Sequence, residues 1–208
     1  MKPLDEQETG DTPVPDFAPS SSGGNGGGNL LLEAALAYAR LGLRVLPVHS
    51  VIAGKCTCRR SKCPSPGKHP RTDHGAKDST RNERVISDWW RLWPEANIGM
   101  TLDQLIVIDV DGGDAWALLQ KLMKEHGGLS EAPWQTTGRS NGMHIIYGVP
   151  AGLSPQLRKS IAPQLEIRTG PHSYVVMTPS LHASGKRYQW GKGYAPGKLK
   201  RLRHRHGS

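Results

Sequence analysis

The chain has 208 residues, 27 Lys plus Arg against 18 Asp plus Glu, a formal charge of +9 and a hydrophobic fraction of 36%. That length suits one domain or two small ones. No apolar run approaches the roughly 20 residues of a bilayer span, no charged start precedes an apolar stretch and three Cys is an odd number, which argues against a membrane-spanning helix and a disulfide-stapled secreted domain.

Residues 1–29 hold six Gly, a Ser20-Ser21-Ser22 run, and one basic against five acidic side chains. Such a stretch buries too little apolar area to offset chain entropy, so the reading is a disordered acidic arm. The remaining 26 basic and 13 acidic residues concentrate positive charge in the rest of the chain, which predicts a polyanionic partner. Asn29 is an N-cap for a helix over 30–41 that stops at Gly42, followed by a strand at 43–48. Residues 49–78 read as a loop and contain all three Cys. Thr80 and Glu83 form a capping box for a helix ending before Pro94. Residues 97–101 are extended, and 104–109 read as a separate buried strand. Asp114 caps a helix over 115–126, closed by Gly127 and Gly128. Short strands follow at 134–137, 143–149, 164–168, 173–178 and 186–190. Early helices and late strands predict an α+β fold. Residues 193–208 form a basic tail, either a nucleic-acid contact or a solvated end.

Ile106 through Gly112 (IVIDVDG) carries the strongest signal. Strand period two sets Asp109 and Asp111 on one face, about 6–7 Å apart, with Ile108 and Val110 facing the core. Two such carboxylates suit a hard divalent cation; the alternative is a strand end with an Asx turn and an N-cap. Thr137 through His144 (TGRSNGMH) is a Gly-bearing hairpin. It reads either as a phosphate cradle using Arg139, Ser140 and His144 or as a plain turn with a satisfied strand His. Glu166 and Arg168 share a strand face opposite Leu165 and Ile167. They suit a metal ligand beside a phosphate clamp, or an exposed salt-bridged strand.

Cys56, Cys58, Cys63 and His69 lie within fourteen residues and suit a tetrahedral structural Zn²⁺, with His49 or His74 as alternative fourth ligands. Lys55, Arg59, Arg60, Lys62, Lys68 and Arg71 surround them and favour the thiolate form. The other reading is three reduced thiols on a surface loop. Trp89, Trp90 and Trp93 have core spacing rather than base-stacking spacing, and Trp116 and Trp134 join them. Tyr188 and Trp190 share one strand face and fit either role.

Asp-x-Asp, then Ser-x-Gly-x-His, then a strand carboxylate followed by Arg resembles the three motifs of the archaeo-eukaryotic primase superfamily. The closest resemblance is to the bifunctional primase/polymerase (Prim-Pol) N-terminal domain family. Gly67-Lys68-His69-Pro70, Asp78-Ser79-Thr80, Trp89-Trp90, Asn97-Ile98-Gly99 and Thr178-Pro179-Ser180 extend it over about 30–192. The resemblance implies a small α/β N-terminal module packed on an RRM-like catalytic sheet. It implies a cytoplasmic DNA primase/polymerase of plasmid, phage or prophage type, acting on nucleoside triphosphates and a single-stranded DNA template, with a separate or fused helicase. Asp109, Asp111 and Glu166 would bind the divalent metals, Mg²⁺ or Mn²⁺. His144 would contact the triphosphate, with Lys68, Arg139, Ser140 and Arg168 beside it. Asn141 departs from a Gly in that motif, and Glu166 stands where many relatives have Asp. The competing readings are a non-catalytic nucleic-acid-binding module and a metal-dependent nuclease.

Overall fold

The computed structural model describes residues 28–149 and 160–194. Most of the acidic arm and most of the basic tail lie outside them. Helix α1 (Leu30–Arg40) opens at Asn29, whose side chain accepts from the Leu31 and Leu32 amides. Strand β1 (Val45–Val48) follows, fully buried. The cysteine segment is not wholly irregular: it contains the short hairpin β2 (Val51–Ile52) and β3 (Lys55–Cys56), and a 3₁₀ turn at Gly75–Asp78. Helix α2 (Glu83–Leu92) corrects one expected cap. Asn82 accepts from the Arg84 and Val85 amides, while Thr80 accepts from Asn82 one step earlier. Trp90 of α2 is buried in the main core, and Trp89 and Trp93 pack on that core, as their spacing predicts.

Strand β4 (Asn97–Asp111) runs unbroken for 15 residues where two strands were expected. The reason is a change of phase. Pairing with β8 (Leu165–Met177) is irregular between Thr101 and Ile106. Across that interruption the residues of the main core change from even positions (Ile98, Met100, Leu102) to odd ones (Leu105, Val107). A bulge of this kind moves every later side chain to the other face. The odd phase carries Asp109 and Asp111 to the face of that core. Ile108 and Val110 turn to the opposite face, against Ala115 and Leu119 of α3 (Gly113–His126). Gly112, not Asp114, is the α3 N-cap, without a side-chain capping bond.

Strands β5 (Trp134–Thr136), β6 (Gly142–Gly148), β7 (Ser160–Ala162) and β9 (Gln189–Trp190) complete the main sheet. Its order is β7-β8-β4-β6-β5-β9, with β1 also on β4 and every pairing among the described residues antiparallel. The fold is α+β, as the sequence predicts. Helices α1 and α2 contribute to the main core; α3 contributes to a second one. No helix among the described residues is long and apolar enough to cross a membrane.

Candidate active site and metal clasp

The sheet register assembles the first cluster. Asp109 of β4 lies directly opposite His144 of β6 and Glu166 of β8. Paired residues in antiparallel strands project to the same face, so the three form one row across the sheet. Arg168 shares this face through its pairing with Val107, and Asp111 through the strand period. Asp111 faces Gly142, which leaves space that the Arg139 side chain enters. Arg139 Nη1 lies 3.3 Å from Asp111 Oδ2, and Arg168 Nη1 3.3 Å from Asp109 Oδ2.

Asp109 is the electrostatic centre. It is only 8% exposed, and burial by itself would raise its carboxyl. His144 and Arg168 outweigh that and hold it at about 2. Its Oδ1 is nevertheless buried with no hydrogen-bond partner, and His144 Nε2 stands off from it at 3.5 Å. A buried, ionised oxygen with an unused lone pair suits a hard cation. Asp109 and Asp111 on this face therefore suit a divalent ion, whereas Glu166 is exposed at the edge and the three carboxylates do not converge on one point.

The turn before β6 is tight. Asn141 takes a left-handed φ of 54°, which Asn tolerates better than most side chains. The departure from Gly at this position thus preserves the turn. Gly142 must lack a side chain, because a Cβ there would come within 2.2 Å of Thr137 Oγ1. Ser140 is exposed at the tip.

The second cluster is a clasp made by one loop. The ligand atoms of Cys56, Cys58, Cys63 and His69 all lie within 4.8 Å of one another, the only such group among the described residues. His69 Nε2 is 3.4 Å from both Cys56 Sγ and Cys63 Sγ. A tetrahedral zinc ion with ordinary Zn–S and Zn–N bonds sets that separation at about 3.5 Å. The cluster fits zinc, and His69 is the fourth member. His49 instead stacks on His69 at 4.4 Å and bonds Thr57 Oγ1 through Nδ1 at 2.9 Å. His74 pairs with Asp78 away from the thiols. Burial of Cys56 is outweighed by the backbone amides of Cys58 and Gly67, which keep its thiol below the usual range.

The two clusters meet at a cavity of about 260 Å³. Asp109, Asp111, His144 and Arg168 line it from the sheet, Ser65, Lys68 and His69 from the clasp. Buried Asn97 ties the two together. Its amide nitrogen donates to Gly67 O at 2.9 Å and Leu181 O at 2.8 Å, and its oxygen accepts from the Leu181 amide at 2.9 Å. Tyr174 donates to Lys68 O at 2.8 Å. Burial and nearby Arg139 lower the Lys68 ammonium, opposed by Asp111 and Asp109. The cavity thus sets Lys68 and Arg168 around two aspartates, Asp109 and Asp111, with Tyr174, Val176 and Tyr188 as its less polar wall.

A family model for the bifunctional DNA primase/polymerase N-terminal domain matches residues 35–201. The chain belongs to that family. Primase/polymerase-type nucleotidyl transfer is therefore its class of function, with DNA and nucleotides as the substrates that class implies. No curated protein matches the chain. The Prim-Pol match spans both clusters, the carboxylate row and the clasp.

Within this Prim-Pol domain, sequence reasoning brought Asp109, Asp111, His144, Arg168 and Lys68 to one cavity. Tyr188, left open between two roles, is a cavity wall. Gln135 and Tyr174 have no motif to mark them, and Asn97 stood out only as part of Asn97-Ile98-Gly99, without a role. Their signal is weak: each is a single polar or aromatic residue in an extended segment, and its partners are 30 or more residues away or on another strand.

Proposed function

We propose that this protein is a template-directed DNA primase/polymerase of a plasmid, phage or prophage replication system, using two divalent ions. The observation that carries the reading is Asp109: buried, ionised, with a free oxygen, and ringed by Lys68, His144, Arg168 and nearby Arg139. A pure nucleic-acid binder gains nothing from such a carboxylate beside phosphates. A nuclease needs the carboxylates but not the cationic cradle.

Asp109 and Asp111, with Glu166 at the rim, would hold Mg²⁺ or Mn²⁺. When bound there, such ions supply Lewis acidity toward the attacking hydroxyl and neutralise the leaving pyrophosphate. The protein's own part is positioning and charge. Lys68 and Arg168 face the triphosphate from opposite walls, and Arg139 holds Asp111 while leaving its remaining donors to phosphate. His144 donates to a phosphate oxygen. Ser140, exposed at the turn, is a contact for the outermost phosphate. The Cys56/Cys58/Cys63/His69 clasp binds zinc and supports the Lys68 wall. The order β8-β4-β6-β5, with α3 following β4, supports the RRM-like description of the catalytic sheet. The cytoplasm is the expected compartment, and a helicase on this chain or another would supply the single-stranded template.

The test is direct. The protein is given a single-stranded template, labelled nucleotides and Mn²⁺, with and without primer. New strand is the expected product. A shortened template would instead indicate a nuclease, and a shifted but intact template a binder. Unchanged incorporation by Asp109→Ala or Asp111→Ala would overturn the site assignment.

A further inference from the structure

Gln135 of β5 is completely buried, yet it is a primary amide with an acceptor and two donors to satisfy. All are used. Its Oε1 accepts from the Thr178 backbone amide at 2.9 Å. Its Nε2 donates to Val176 O at 2.8 Å and lies 2.9 Å from His144 Nδ1.

An amide's two ends are often exchangeable in a structure, but not these. A backbone N–H can only donate and a backbone carbonyl can only accept. Flipping Gln135 would set donor against donor at Thr178 and acceptor against acceptor at Val176. The amide orientation is therefore imposed by the main chain, and its second hydrogen is aimed at His144. Nδ1 must offer a lone pair to that hydrogen, so the ring proton resides on Nε2. Nε2 is the nitrogen that faces the cavity, 3.5 Å from Asp109 Oδ1.

We propose that Gln135 is the positioning residue of His144, fixing it as an Nε2–H hydrogen-bond donor toward the cavity. The consequence is chemical. A donating Nε2 is matched to an anionic oxygen, whether phosphate or carboxylate; a lone pair there would repel phosphate and attract a metal ion instead. His144 thus works in the cavity as a donor and not as a metal ligand or a proton acceptor. Gln135 also links the β5 and β6 strands to the end of β8, so the donor is aimed from a frame of three strands. This inference rests on the nucleotidyltransferase reading only for what the donor binds, not for the tautomer.

The experiment is long-range ¹H–¹⁵N correlation of the imidazole rings in the full chain labelled at histidine, with the His144 signals assigned by their loss in His144→Gln. The expected result is a single His144 tautomer with Nε2 protonated and Nδ1 bare. An Nδ1–H ring, or a mixture of both, overturns the proposal whatever the activity. In Gln135→Glu an acceptor oxygen replaces the donor, and Nδ1 is expected to become protonated. Incorporation then falls about 100-fold in kcat with a much smaller change in nucleotide KM, as expected for a lost oriented donor. A folded Gln135→Glu protein whose His144 tautomer is unchanged also overturns it. Should that variant not fold, the wild-type spectrum decides. Failure of nucleotide incorporation by wild-type protein would count against the nucleotidyltransferase reading alone.

Discussion

The carboxylate row and the cysteine clasp both gather chemically potent side chains, but by opposite means. The row draws on β4, β6 and β8, whose members are far apart in sequence and are aligned by strand register. The clasp draws on one loop of fourteen residues with only two two-residue strands in or beside it. A sheet holds its residues through backbone bonds on both sides; a Gly- and Pro-rich loop has few, so its geometry would depend on a metal held there. The difference teaches that loss of metal should affect the two halves unequally. Emptying the carboxylate row should stop chemistry and spare the fold, whereas emptying the clasp should loosen the wall that carries Lys68.

The sharpest division comes from Asp109→Ala. Incorporation is expected to fall by at least about 10³-fold in a protein that still folds, with a melting temperature lowered by no more than the loss of about 2 kcal/mol produces, because Arg168 can turn to solvent and buried His144 keeps its contact with Gln135. A collapse of the fold would break the comparison. Next is Cys58→Ser, for which zinc affinity should drop more than about 100-fold, read by metal analysis and competition with a chelator. The same variant should show a raised nucleotide KM through Lys68, with sheet amide signals little changed. Arg168→Ala should raise the nucleotide KM by about tenfold, from loss of one charge-assisted contact. Gly142→Ala tests the turn that leads into β6: the added methyl meets Thr137 Oγ1, and thermal unfolding should register about 1–3 kcal/mol of destabilisation.

The smallest effect is on pH. Asp109 is held at about 2 in the folded chain, below the roughly 3.9 of an unfolded Asp. Its contribution is therefore complete above about pH 4 and lost as pH falls toward 2, on the order of 2 kcal/mol in metal-free protein. Acid titration of stability should show this step in the parent and not in Asp109→Asn.

Much of this was legible from local pattern. Asn29 as a cap, the α1 and α2 spans, the Asp109/Asp111 face and the Cys₃His set all depend on residues within a few positions of one another. Other local expectations failed: the strands expected at 164–168 and 173–178 are one, β8, and the segment expected as a loop holds β2 and β3. Asn82 lies closer to the start of α2 than Thr80 and takes the cap, Gly112 opens α3 in place of Asp114, and two expected strands join as β4 across a bulge that no period-two count can follow.

What the sequence determined by itself was the chemistry available: oxygen ligands on one strand, soft ligands in one loop, and a positive excess around both. It also carried the motif order that marks the family. Only the tertiary structure decided how these are combined. Register set His144 and Glu166 on either side of Asp109, Asn97 fastened the clasp to the sheet, and Gln135 chose the nitrogen that His144 presents. The physical reason is range. Caps, periods and ligand spacings act over a few residues, whereas strand pairing and buried hydrogen bonds join groups that only the folded chain brings within 3 Å of each other.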